Sequence, residues 1–348
     1  MIAKWKPTAT KVGRQFLYEY AQEFGGLISS AKLAEDLVRS VLKPSHLEIH
    51  QVAARVKGLD SMRLKLRRKH YSHPERDILD KIGVRVITYY MDDVDRVAEL
   101  LKLEFEIDSA NSEDKRIALE TSAFGYRSVH LIARLQGSRL ASPEYSSLRG
   151  RWFEIQVRSL LEHAWAEIEH EVKYKPRVDY PTEITRRFAR IAGVLEFLDT
   201  EFQGLRHERQ NLVETYRDLY LRGKEYDVSF DTARLLGFLE AIRPRGLSWR
   251  RASSDGKPFP LHVEASCVDA LTALKVDTPR KLKKALGQQK VRRKLVRFGE
   301  VAGVDPSEVS HLAVILVLVL TNSPKRLSDL FPQEVCNSSE LREMRGNH

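Results

Sequence analysis

The sequence predicts an α+β protein: a mixed sheet of roughly five strands flanked by helices, then a long helical region and a small, mainly helical C-terminal domain. Three observations predict it. Between residues 46 and 158, short β-branched and aromatic runs alternate with helical ones, the texture of a sheet domain with interleaved helices. Ile184, Ile191, Leu198, Leu205, Leu212 and Leu219 then recur every seven residues, a helical seam. After a turn-rich linker, residues 243–261, helical patterning resumes.

Taken in order, residues 1–45 form an N-terminal helical segment. Phe16, Leu17, Tyr20, Phe24, Leu33, Leu37 and Val41 fall at helical spacing and predict one or two short helices ending at Pro44-Ser45. The sheet domain spans 46–178. Within it His46–Val56 reads as a strand, Ser61–Tyr71 as a basic helix and Gly83–Tyr90 as a strand rich in β-branched and aromatic residues. Val94–Leu103 reads as a helix, and Arg116–Glu120, Ser128–Leu135 and Trp152–Arg158 as further strands. In the helical region, 179–242, Phe188, Leu195, Phe202 and Tyr216 fall between the heptad residues, while Arg209 interrupts the seam and Gly193 and Gly204 weaken it. Packing against the sheet domain is the preferred reading of this seam, and pairing between subunits the alternative. The C-terminal part, 243–348, is basic and mainly helical with a loose tail after Pro332. Its segment 279–298 carries nine basic residues and no acid.

Composition bounds the function. A chain of 348 residues allows one large domain or two modest ones. The formal charge of +10, with a pI near 9.4, favours an anionic partner such as a nucleotide, nucleic acid or acidic membrane surface; plain solubility charge is the alternative. Two cysteines, Cys267 and Cys336, exclude a disulfide scaffold and a four-thiolate zinc site. Residues 1–11 lack the apolar core of a signal peptide. The longest apolar run, Leu312–Leu320, is too short to cross a bilayer. The expectation is a soluble cytoplasmic protein with no membrane partner.

Four segments gather the chemistry. In Arg55-Val-Lys57, alternation along a strand points two cations the same way, a clamp for polyphosphate; Ser61 and Lys65 share a face near the start of the next helix, where anions are favoured. Asp80 stands just before an apolar strand that carries Arg85. Gly125-Tyr126-Arg127-Ser128-Val129-His130 enters another strand from a tight turn, and Tyr126 could stack on a base. Glu154, Gln156 and Arg158 occupy one strand face whose other face is Phe153, Ile155 and Val157. Asp80 and Glu154 together could hold Mg²⁺, which takes one or two carboxylates plus phosphate oxygens.

In this order and spacing, Arg55-x-Lys57-x3-Ser61-x3-Lys65, Asp80-x2-Gly83-x-Arg85, Gly125-Tyr-x-Ser-x-His130 and Glu154-Ile-Gln-Val-Arg158-Ser resemble the synthetase domain of the RelA/SpoT family, a nucleotidyltransferase-like fold. The likeness covers residues 46–178. It implies a pyrophosphokinase that moves the β,γ-pyrophosphate of ATP to a ribose 3′-hydroxyl and releases AMP, with Mg²⁺ as cofactor. By the same resemblance Arg55 and Arg85 sandwich adenine, and Lys57, Ser61 and Lys65 hold phosphates. Asp80 and Glu154 hold the metal, and Glu154 takes the proton of the 3′-hydroxyl. Tyr126, His130, Gln156 and Arg158 bind the acceptor, which is GDP or GTP in members that make (p)ppGpp.

Two departures bear on function. Long members carry a hydrolase domain with a His-Asp metal motif; no His-Asp dipeptide occurs here and 45 preceding residues are too few for that domain, so no hydrolase activity is expected. Alarmone-making members place a basic residue just before the Gly-Tyr, where this chain has Glu120-Thr-Ser-Ala-Phe124. Toxic small members resemble the segment His163–His170, and some of them modify the tRNA 3′ end. The alternative acceptor is therefore tRNA, with Lys283, Lys284, Lys290, Arg292, Arg293 and Lys294 as a phosphate-binding arm. A regulatory protein or antitoxin and a homo-oligomer are further possible partners. The rivals outside this chemistry are a non-catalytic RNA-binding regulator and a di-iron site at the Glu167-x2-His170 and Glu308-x2-His311 pairs.

Overall fold

The computed structural model describes residues 11–45, 47, 49–69, 71–114, 128–173, 182–242, 261–291, 293–294, 311–322 and 331. The chain divides into two compact units, residues 1–203 and 204–348. The boundary falls inside one helix, so that helix contributes to both.

The first unit is a mixed sheet flanked by helices. Its elements are α1 (Lys11–Leu42), β1 (Ile49–Val56), α2 (Leu59–Arg68), the single turn α3 (Pro74–Asp77), β2 (Ile82–Thr88), α4 (Met91–Glu104), β3 (Phe105–Ile107), β4 (Glu113–Asp114), β5 (Val129–Leu135), β6 (Phe153–Ser159), α5 (Leu160–Lys173) and the start of α6 (Thr182–Leu221). The strand order is β1-β2-β6-β5-β3, with β4 also pairing with β5. β2 and β6 run parallel, and the other pairs are antiparallel.

Residues 11–42 form one helix rather than two short ones. Gly25 and Gly26 each cost it about 1 kcal/mol relative to Ala. A continuous buried stripe of Phe16, Tyr20, Leu27, Ala31, Ala34, Leu37, Val38 and Leu42 offsets that cost. This helix also protects the sheet edge. Glu35 Oε2 accepts from the Ala54 backbone N–H at 2.9 Å, and Arg39 donates to the Val52 carbonyl at 2.8 Å. Both partners lie on edge strand β1, whose unpaired backbone groups are thereby occupied.

The four described strands that the sequence predicts are present with ends shifted by up to three residues. Residues 116–120, expected as a fifth, lie outside the described part. The sheet instead gains β3 and β4, of three and two residues, too short to carry a hydrophobic period. One sheet face is apolar: Val84 and Val86 of β2, Ile155 and Val157 of β6, and Val129 and Leu131 of β5 are buried beneath α1 and α4. The opposite face carries the polar residues described below.

Helix α6 is one helix of 40 residues. The heptad seam does not supply its packing. Ile191, Phe202, Leu205 and Leu212 are about half exposed or more, whereas Ala192, Asp199, Val213 and Tyr220 are the buried positions. Arg209, which interrupts the seam, is ion-paired with Glu264.

The second unit contains the end of α6, α7 (Thr232–Ala241), α8 (Leu261–Ala273), α9 (Pro279–Leu286) and α10 (His311–Asn322). Phe238, Leu239, Leu271, Leu282, Ile315 and Val319 belong to its core. The apolar run at 312–320 is here a core helix, with Val314 through Val319 all buried. Among the described residues no helix is long and apolar enough to cross a membrane.

Gly237 marks a close helix crossing in this unit. A Cβ built there would lie 2.7 Å from the Val213 carbonyl oxygen and 2.9 Å from the Arg217 backbone nitrogen. Backbone atoms cannot swing aside, so Gly237→Ala is expected to destabilise the unit by about 1–3 kcal/mol. Denaturant titration followed by helical circular dichroism checks this; an unchanged midpoint would show that the crossing opens freely.

Candidate active site

The polar face of the sheet is assembled by register. Arg55 lies opposite Gly83 and Ala53 opposite Arg85; Gly83 then pairs with Glu154 and Arg85 with Gln156. Gln156 in turn lies opposite His130. Four strands thus bring Arg55, Arg85, Glu154, Gln156 and His130 to one surface. Each alternates with an apolar residue that anchors its strand in the core.

That surface floors a cavity of about 790 Å³, the size of a nucleotide site. Of the residues singled out in the sequence, Arg55, Lys57, Ser61, Lys65, Asp80, Arg85, His130, Glu154 and Gln156 line it. Arg68, Lys69, Asn111 and Glu113 line it as well and were not anticipated. Among the lining residues six cations face three carboxylates, the balance that suits a polyanion.

Arg55 and Arg85 stand diagonally on neighbouring strands, an offset of roughly 7–8 Å. The residues directly across from each, Gly83 and Ala53, have little or no side chain. Two arginines so placed, with no bulky side chain opposite either, can take a flat ring between their guanidinium groups.

Asp80 is held between two ammonium groups. Lys65 Nζ donates to its Oδ1 at 2.6 Å, and Lys57 Nζ bonds its Oδ2. Burial alone would push the Asp80 carboxyl up; Lys57 and then Lys65 overcome this and hold it below the usual range. For Lys57 burial is the larger influence and lowers its pKa despite Asp80. The Lys57 backbone is fixed as well, because its carbonyl accepts from the Tyr20 hydroxyl at 2.6 Å and its N–H donates to the Lys81 carbonyl at 3.0 Å.

Glu154 anchors a second chain of bonds. His130 Nδ1 lies 2.8 Å from its Oε1, Gln156 Nε2 donates to its Oε2 at 2.8 Å, and Arg158 Nη2 donates to Gln156 Oε1 at 2.9 Å. Burial would raise the Glu154 pKa. The bond and charge of His130, with the Gln156 bond, outweigh burial, while repulsion from Asp80 acts against them. The net value is lowered, so the carboxylate is ionised at neutral pH.

Arg158 requires a correction. It was expected to line the acceptor site, but only 2% of it is exposed. It sits at the end of β6 where α5 begins, and it reaches the cavity through Gln156. Ser128 is fully buried. Tyr126 and the stretch 120–124 lie outside the described residues. In the second unit Lys283, Lys284, Lys290, Arg293 and Lys294 are exposed, with Leu282 and Ala285 beneath them; Arg292 lies outside the described residues. Of the di-iron pairs, Glu167 bonds Arg85, and Glu308 lies outside the described residues.

Two further residues, Glu162 and Asp199, matter that the sequence reading passed over. Ser159 and Glu162 form a capping box: Ser159 N–H donates to Glu162 Oε2 at 2.9 Å and Glu162 N–H to Ser159 Oγ at 3.1 Å. The Ser-x-x-Glu spacing was the available signal. Asp199, 2% exposed, lies 2.5 Å from Ser159 Oγ, which ties α6 to this cap. No local pattern marks that residue.

Asp80 and Glu154 suit a hard divalent cation. They are carboxylates close enough to repel each other. Among the described residues no group of three or more His, Cys, Asp or Glu could hold a metal, so substrate phosphates would complete any Mg²⁺ shell. The floor therefore offers a base slot, a cationic phosphate wall and two ionised carboxylates, the equipment of an enzyme that handles nucleoside polyphosphates.

Comparison with known proteins places this class. Residues 54–179 match the family model described as a region found in RelA/SpoT proteins. The GTP pyrophosphokinase YjbM of Bacillus subtilis is 30% identical over 201 residues, 58% of this chain and 91% of that protein. The GTP pyrophosphokinase YwaC of the same organism is 28% identical over 167 residues, 47% of this chain and 76% of that protein. Among solved structures, a GTP pyrophosphokinase family protein from Streptococcus pneumoniae is 29% identical, covers 58% of this chain and 96% of its own, and has a TM-score of 0.43. The chain belongs to the RelA/SpoT family of pyrophosphotransferases.

Proposed function

We propose that this protein is an ATP-dependent pyrophosphokinase with GDP or GTP as acceptor, producing guanosine 3′-pyrophosphates of the kind that signal starvation. The observation that carries the reading is the single cavity in which the Arg55–Arg85 slot, the Lys57 and Lys65 ammonium groups and the Asp80 and Glu154 carboxylates converge. The names of the Bacillus relatives support the guanosine acceptor.

In this reading adenine occupies the slot, and Lys57, Lys65 and Ser61 hold the phosphate chain. The acceptor's 3′-oxygen attacks the β-phosphorus, the bond from that phosphorus to the bridging oxygen of the α-phosphate breaks, and AMP leaves with that oxygen. Glu154 takes the hydroxyl proton. Its lowered pKa is compatible with this role, because phosphoryl-type transfer passes through a loose transition state that asks little of the base. His130 and Gln156 hold the Glu154 carboxylate in orientation. Mg²⁺ held by Asp80 and Glu154 would neutralise phosphate charge.

A second acceptor, the tRNA 3′ end, is favoured by one observation: the exposed basic row of α9 and the residues after it, clear of its buried face. A panel settles the matter, with γ-labelled ATP offered to the purified chain together with GDP, GTP or tRNA. Label on a guanosine nucleotide is the expected result. Label on tRNA alone would overturn the guanosine reading, and Lys283→Glu with Lys284→Glu should then weaken transfer in a salt-dependent way.

A further inference from the structure

We propose that Glu167 of α5 is a positioning residue for the donor base, fixing the edge of the Arg85 guanidinium so that its flat face stays open to adenine. The inference rests on reading the cavity as the ATP site. Arg85 rises from mid-sheet, where its lateral neighbours are Ala53 and Gln156. Ala53 is too short to hold so long a side chain in one orientation. The bond that fixes it comes from Arg85 Nη1 to Glu167 Oε1 at 2.8 Å, bridging 82 residues of sequence. A guanidinium bound through its edge keeps both faces available for stacking, and a ring is gripped better by a wall that is already oriented.

The surroundings leave the Glu167 charge to Arg85. His163, one helical turn earlier, has Nδ1 3.7 Å from the same oxygen, beyond hydrogen-bond reach. That nitrogen is buried and has no hydrogen-bond partner. Burial, with Arg158 and Arg85 nearby, lowers the His163 pKa, with Glu167 acting against them and His50 adding to them, so the ring is neutral at pH 7. The helix that presents Glu167 is itself fixed at its start by the Ser159–Glu162 capping box and by Asp199. Glu167 is 55% exposed, so its removal leaves the core intact.

The test uses the full chain and α,β-methylene-ATP, in which the bond to be broken is blocked, with calorimetric titration alongside steady-state kinetics. Glu167→Ala is expected to raise the Kd for the analogue and the KM for ATP about tenfold. Its kcat should stay within about twofold and its thermal midpoint should not move. Glu167→Gln, which keeps an acceptor oxygen, should recover most of the affinity. In an Arg85→Ala background, Glu167→Ala should add nothing further. Unchanged or tighter ATP binding in Glu167→Ala would overturn the proposal while leaving the ATP site in place. A wild-type chain that neither binds the analogue nor transfers pyrophosphate would instead remove the site reading, and the proposal with it.

Discussion

Replacing Glu154 by Gln is expected to lower acceptor-dependent transfer by about a thousandfold, within the range for loss of a general base. The amide is isosteric and can still accept one hydrogen bond from Gln156, so the polar floor keeps its shape. What disappears is the negative charge that the His130 bond and charge sustain against burial. Affinity for α,β-methylene-ATP without metal should change little, since the slot and the phosphate wall belong to Arg55, Arg85, Lys57 and Lys65. A Glu154→Gln variant that transfers at wild-type rate would place the base elsewhere and would favour a binding role over catalysis.

The second large effect is expected at Asp80. Asp80→Asn leaves Lys57 and Lys65 without their shared counter-charge inside a half-enclosed cavity. Transfer should fall by about a thousandfold for want of a metal ligand and ordered ammonium groups. Stability should fall as well, by about 2 kcal/mol, less than for a fully buried pair because the three side chains keep some contact with water. Acid should reproduce the effect in the wild type. The folded-state pKa of Asp80 lies below its ordinary value, so its contribution is complete above the usual carboxylate range near pH 4. It is lost as pH falls below that range through the depressed value. Unfolding midpoints measured from pH 7 to pH 2 should therefore drop in wild type below about pH 4, and Asp80→Asn should lack that part of the drop. Parallel acid profiles for the two proteins would contradict the assignment.

The fold was legible where one face of an element is buried. In β2 and β6 the valines and isoleucines alternate with Gly83, Arg85, Glu154 and Gln156, so the strand period names both the core face and the site face. β3 and β4 were illegible because three and two residues cannot show a period. The site was legible as far as it lies on strand faces: Arg55, Arg85, Glu154 and Gln156 reach one cavity because register carries the pattern across the sheet, and Lys57 and Asp80 flank the ends of those strands. Arg158 has the same period yet is covered, because α5 begins at the next residue but one, a fact of the strand's end and not of its alternation. Glu167 and Asp199 act through contacts spanning 82 and 40 residues, which depend on where a helix meets the sheet and not on any local pattern. In α6 the heptads gave the helix correctly but not its packing, since periodicity marks a face and does not say what covers it.

The central claim is that Glu154 and Asp80 serve the transfer of a pyrophosphoryl group, and its most direct test follows the other half of the donor. With α-labelled ATP, Mg²⁺ and GDP or GTP, the wild-type chain should release labelled AMP in a one-to-one ratio with pyrophosphorylated acceptor, and Glu154→Gln should release almost none. Labelled ADP in place of AMP, or AMP formed equally well by Glu154→Gln, would contradict the account.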